Sequence, residues 1–240
     1  MKFLKNLFSR NALPELNEVS AATRIDTFGK IVTPAFKKIG LDKWDGKYLW
    51  YSDFNENGIK HVIKYNILKG FDGSFSYGNC FSFLPTTTND GKKLINHKTD
   101  KSTKLHLFER LDGWRESSEG TQRKNQYDKV SHWNEKDFLE SLNKIIDSYP
   151  IRIEKWFKTY DSIDSNIALA NDQIQKSGMY DFNAPNQKYV LIFLFAQKGD
   201  FKKAEELLDE LYDSPTRNKS DRWSIEKELI QSRVNKMKSC

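Results

Sequence analysis

Between Asn186 and Tyr212 the chain reads NQKYVLIFLFAQKGDFKKAEELLDELY, and no other stretch restricts the fold as much. Val190, Phe193, Leu194 and Ala196 or Gln197 recur near the 3.6-residue helical period, and Phe201, Ala204, Leu207, Leu208 and Leu211 repeat it. Gly199 can supply the left-handed residue that ends the first helix, and Asp200 can cap the second through its carboxylate. Small Ala204, one turn in, lets the two helices approach closely. The pattern predicts an antiparallel helical hairpin of the kind that tetratricopeptide-type repeats stack, present in one clear copy.

Upstream the period changes from 3.6 to 2. Ile59, His61, Ile63, Tyr65 and Ile67 alternate with Lys60, Val62, Lys64 and Asn66. After Lys69-Gly70-Phe71-Asp72-Gly73, a further run places Phe75, Tyr77, Asn79, Phe81 and Phe83 on one face. Ser74, Ser76, Gly78, Cys80 and Ser82 fall on the other, and Pro85 stops the strand. Lys47 to Phe54 and Lys104 to Leu111 read as two more strands, the first joined to Ile59 by the loop Asn55-Glu56-Asn57-Gly58. Alternation this regular predicts an antiparallel sheet with one aromatic face buried under helices.

Glu18 to Ile39 has a helical stripe closed by Gly40, with Pro34 expected to kink or divide it. From Asn134 onward only helices are expected: one capped by Asn134 and ended by Pro150, one holding Ile153 to Tyr160, one over about Ser162 to Lys176, the hairpin, and a last one from Asp221 to Met237. The fold class read from this order is α+β: a four-stranded antiparallel sheet packed against helices, then an all-helical C-terminal extension. Residues 1–17 form an N-terminal segment, 18–160 the sheet domain and 161–240 the extension.

The order of elements resembles bacterial domain of unknown function family 4304. The stretches that carry the resemblance are FKKIGLDKWDGKYLWYS, HVIKYNIL, FSFLP and DSYPIRIEKWFKTYDSID, covering roughly Thr23 to Asp164. The resemblance implies a cytoplasmic bacterial α+β domain. It implies no established activity, so no site is carried over from it.

Composition narrows the function classes. The longest apolar stretch, Tyr189 to Ala196, is far too short to span a bilayer. MKFLKNLFSRN lacks the uninterrupted apolar core of a secretory signal, and neither Cys80 nor the terminal Cys240 suits a structural disulfide, so a cytoplasmic location is expected. The net charge of +6 is compatible with an anionic partner, although lysine is spread along the whole chain.

No motif for catalysis is present. His61, His97, His106 and His132 have no metal-ligand spacing, and each reads as structural or solvated. Asp53, Glu56, Lys60 and Lys64 around the first hairpin read as cross-strand charge pairs rather than a metal-dependent centre. No cofactor, metal or enzymatic activity is expected. Two long polar connections, Thr86 to Thr103 and Asp112 to Trp133, are long enough to carry function. Basic residues interleave with aromatics near the second: Arg110, Trp114, Arg115, Arg123, Lys124, Tyr127 and Trp133 form the candidate partner-binding set. The expected function is non-catalytic binding of another protein, as in a bacterial immunity protein that neutralises a toxin by occlusion. The alternative is nucleic-acid binding through the basic aromatic loop 110–133.

Overall fold

The alternating strands of residues 59–81 are the base on which the rest is built. The computed structural model describes residues 16–111, 115–117, 120–122, 129–176, 180, 183–213 and 221–239. Strands β1 (Lys43–Trp44), β2 (Leu49–Tyr51), β3 (Ile59–Leu68) and β4 (Asp72–Phe81) follow one another as an antiparallel meander. β3 and β4 pair along their whole length, from Ile59 opposite Phe81 to Leu68 opposite Asp72. The ribbon β5 (Thr86–Thr87) with β6 (Leu94–Ile95) stands apart from this sheet. Beyond β4, β7 (Leu107–Arg110) pairs with Ser76 to Asn79. The ribbon β8 (Arg115–Ser117) with β9 (Gly120–Gln122) comes next, and β10 (Val130–Ser131) returns to pair with Gly73 and Asp72. The four strands read from the sequence are therefore present, and two-residue β1 and β10 widen the sheet to six.

One face of the sheet is aromatic and covered by helices. α1 (Ala21–Thr27) starts at Ser20, whose hydroxyl accepts the Thr23 N–H. The chain then widens into a π-turn over Phe28–Val32, with the Thr33 N–H bonded to Phe28 O, and α2 (Thr33–Lys37) follows. Pro34 divides the helix this way: it sits in the first turn of α2, where a missing N–H does least harm. Phe28 is fully buried at the centre, against the rings of Tyr65 at 4.7 Å, Trp50 at 5.7 Å and Phe138 at 6.1 Å. Phe138, Leu142 and Ile145 come from α3 (Glu135–Ser148), capped by Asn134. Ile153 and Phe157 come from α4 (Pro150–Thr159), of which Pro150 is the first residue.

The helical extension packs on the other end of the same sheet. α5 (Ile163–Gln175), α6 (Gln187–Lys198), α7 (Phe201–Tyr212) and α8 (Asp221–Lys238) bury one apolar cluster that also takes in Ile59, Phe81, Phe83, Leu84 and Leu107. The core is thus continuous across residue 160. Gly199 adopts φ +88°, and the Asp200 carboxylate accepts the Lys203 N–H at 3.1 Å. No helix among the described residues is long and apolar enough to cross a membrane.

Ala204 is completely buried in this cluster, whereas Lys203 is exposed and, among the described residues, pairs only with Glu206. Ala204→Trp is expected to overpack the hairpin and cost about 1–3 kcal/mol. Lys203→Ala should change stability by less than about 0.5 kcal/mol. Thermal melts of the two variants check this, and equal, negligible effects would contradict the packed hairpin.

Candidate ligand groove on the open sheet face

The face of the sheet turned away from the aromatic core carries small side chains along β4. Because Phe75 and Tyr77 point to the helices, Ser74, Ser76, Gly78 and Cys80 point the other way. Register then brings distant residues into rows. Leu49, Lys64, Ser76 and Arg110 lie side by side on β2, β3, β4 and β7, and Tyr51, Val62, Gly78 and Phe108 form the next row. Adjacent strands are about 4.8 Å apart, so Lys64 and Arg110 flank Ser76 with a gap of roughly 10 Å between their backbones.

Low side chains along β4 between taller neighbours leave a groove of about 560 Å³. Its floor holds Ser74 and Ser76, both buried, and its walls include Leu49, Leu68, Leu105 and Phe108. Lys47, Lys64, Lys104 and Arg110 also line it, against a single carboxylate, Asp45. Asp45 is committed to its own turn, since one oxygen accepts the N–H groups of Lys47, Tyr48 and Leu49 at 2.8–3.0 Å. Arg110 lies over the Phe108 ring, with a long hydrogen bond of 3.4 Å to Asn183 Oδ1.

The charge on this groove is not balanced from within the protein. Among the described residues no carboxylate lies within 4.0 Å of the ammonium of Lys47, Lys64 or Lys104. Several lysines elsewhere are matched, Lys43 with Asp53 and Asp100, Lys188 with Glu210, Lys198 with Asp164 and Lys227 with Asp209 and Asp213, while others on the surface, such as Lys37, Lys69 and Lys155, have no carboxylate partner among the described residues. Burial pushes the Lys104 ammonium below its usual range, and the nearby Lys64 charge pushes it further down. The Asp53 and Asp100 carboxylates do the opposite to Lys43, holding it up at about 12.

The candidate residues read from the sequence divide. Arg110 belongs to the groove. Trp133 packs edge-on against Phe71 at 5.5 Å, and its carbonyl accepts the Asn17 N–H, away from the row of Lys64 and Ser76. Arg115 lies in β8, while Trp114, Arg123, Lys124 and Tyr127 lie outside the described residues. Lys47, Lys64, Lys104 and Ser76 were not in that set. The signal for them was the small-residue face of residues 74–80 opposite the lysines of β3.

Other buried polar groups hold the scaffold. Lys60, 1% exposed, donates to Asp100 and Thr103 and lies over the rings of Tyr51 and Phe54, tying the 3-10 turn Asp100–Ser102 to the sheet. Glu109 accepts from Tyr180 at 2.7 Å and Gln173 at 3.0 Å, and burial pushes its carboxyl up. Gln173 also donates to Phe108 O, blocking part of the outer edge of β7. His97 bridges Ser102 O and the Thr86 hydroxyl, and the His106 Nδ1 accepts the Phe81 N–H. His132 contacts the Tyr65 hydroxyl on one side and Arg24 on the other. His97 and His132, placed in polar connections by the sequence, are buried at 5% and 1% exposure. Among the described residues, no three His, Cys, Asp or Glu side chains gather as a metal site requires.

These histidines make stability depend on pH. Burial lowers the pKa of all four, and for His132 burial and then the Arg24 charge bring it down to about 4 from an ordinary 6.5. Below pH 6.5 the unfolded chain takes up protons that the folded chain refuses. Stability is therefore full above 6.5 and falls as the pH drops towards 4, by up to about 3 kcal/mol from His132 alone. Urea midpoints between about pH 7.5 and 4.5 should fall steadily, and His132→Gln should flatten the slope. A midpoint that stays level over this range would contradict neutral buried imidazoles.

Comparison with protein-family models, curated proteins and solved structures gave no match to the chain.

Proposed function

We propose that the chain is a non-catalytic protein-binding domain, and within that class a bacterial immunity protein that neutralises a toxin by occluding it. The observation that supports this most is the open sheet face. It offers an apolar centre of Leu49, Leu68, Leu105 and Phe108 with a rim of lysine and arginine, which is the anatomy of a protein interface. Lys60, Glu109, His97 and His132 are each bonded within the scaffold. Nucleic-acid binding is the second reading, favoured by the unmatched lysines. It requires affinity for oligonucleotides that falls steeply with salt, by about 0.9 log unit per phosphate contact per tenfold salt for duplex DNA.

The test is capture with the full chain as bait, followed by reconstitution from purified components and co-expression with any toxin encoded beside it. The expected result is a stable binary complex and restored growth of cells making the toxin. Failure to form a complex with any captured or neighbouring product would remove the protein-binding reading.

A further inference from the structure

We infer that the groove receives an acidic segment of the partner protein, with a carboxylate seated over Ser76 among Lys64, Lys104 and Arg110. The inference rests on the protein-binding reading and adds the chemistry of the contacting segment. The groups that converge here are donors. Lys64 and Arg110 flank Ser76 in one row of the sheet, and Lys104 reaches the same groove from the segment before β7. The Ser76 hydroxyl oxygen already accepts from Asn66 at 2.9 Å, so the hydrogen it has left to give is available to an acceptor. The one carboxylate at the rim, Asp45, gives one oxygen to its own turn and sets a single negative charge against the four cations. A ligand that completes this arrangement must therefore bring acceptors and negative charge.

The walls distinguish an acidic protein segment from a bare phosphate or a nucleic-acid strand. Leu49, Leu105 and Phe108 beside the cations favour a ligand with carbon around its anionic group. A nucleic-acid backbone would need a continued track of unmatched cations. Among the described residues that track ends past Lys47, because Lys43 is neutralised by Asp53 and Asp100. About 560 Å³ is room for a few side chains rather than for one ion.

A fluorescein-labelled peptide of alternating glutamate and leucine tests this by anisotropy. Its lysine–leucine counterpart, an oligothymidylate and inorganic phosphate serve as the other probes. The acidic peptide should bind the full chain, weaken with salt, and lose at least about tenfold in affinity with Lys64→Glu or Arg110→Gln. Both side chains are exposed, so the variants should melt like the parent, and Lys203→Glu should bind like it. Equal binding by parent and Lys64→Glu, tighter binding of oligothymidylate, or saturation by phosphate alone would overturn the inference. If Lys64→Glu still forms the reconstituted complex with undiminished affinity, the acidic-segment inference falls while protein binding stands. If the peptide binds as expected and no protein complex can be formed, the groove's preference for an acidic ligand stands, while the protein-binding reading falls and with it a partner's segment as the occupant.

Discussion

Gly78→Val is expected to destabilise the protein by about 3 kcal/mol, at the upper end of what overpacking costs. β7 passes so close that a Cβ at position 78 would lie 2.2 Å from the Leu107 carbonyl oxygen. It would also lie 2.5 Å from Phe108 Cβ and 2.6 Å from Phe108 Cα. These neighbours are backbone or the root of a side chain, so none can rotate away. β7 would have to leave β4, taking Phe108 and Arg110 out of the groove. Urea denaturation should show the lower midpoint, and the acidic peptide should no longer bind under conditions where the variant is folded. A variant as stable as the parent would contradict the β4–β7 pairing and the groove that depends on it.

Phe28→Ala is expected to cost about 3–5 kcal/mol, the range for removing a large buried aromatic ring. Phe28 meets rings from β2, β3, β4 and α3, so its loss leaves a cavity that no single element can close. Ile67→Ala provides the contrast. Ile67 lies on the same alternating face of β3 but near its end, where it is 55% exposed, and its truncation should change stability by less than about 0.5 kcal/mol. Denaturant midpoints for the pair decide the matter, and similar losses for both would mean that the aromatic cluster is not the centre of the core.

Much of the fold is legible because its signals are local. The strand limits of β3 follow from alternation that begins after Gly58 and stops at Gly70. Ser20, Asn134, Ser162 and Asp200 each accept the backbone N–H three residues on, a capping geometry that needs nothing beyond the local segment. What the sequence does not show depends on distant partners. Val130 and Ser131 become a strand only by meeting Gly73 and Asp72, and two residues carry no period. His132 is buried against Tyr65 and Arg24, far along the chain, so its polar surroundings in sequence give no warning.

The candidate site was less legible for the same reason. Reading residues 110–133 as one binding segment assumes that neighbours in sequence share a surface. Arg110 instead shares its surface with Lys64 and Ser76 through strand register, and with Lys104 across the intervening turn into β7. Trp133 is used in packing against Phe71. The small residues 74, 76, 78 and 80 were visible as one face of a strand. That they form the floor of a groove follows only once β2, β3 and β7 are placed beside them.

The central claim is that this sheet face is where the protein meets its partner. Backbone amide hydrogen exchange of the full chain, alone and in the reconstituted complex, tests it most directly. New protection concentrated in Lys47–Leu49, Lys64–Leu68, Ser74–Ser76 and Thr103–Arg110, with α6 to α8 unchanged, is the predicted result. Protection confined to the helical extension, with the strands of the groove exchanging as in the unbound protein, would contradict it.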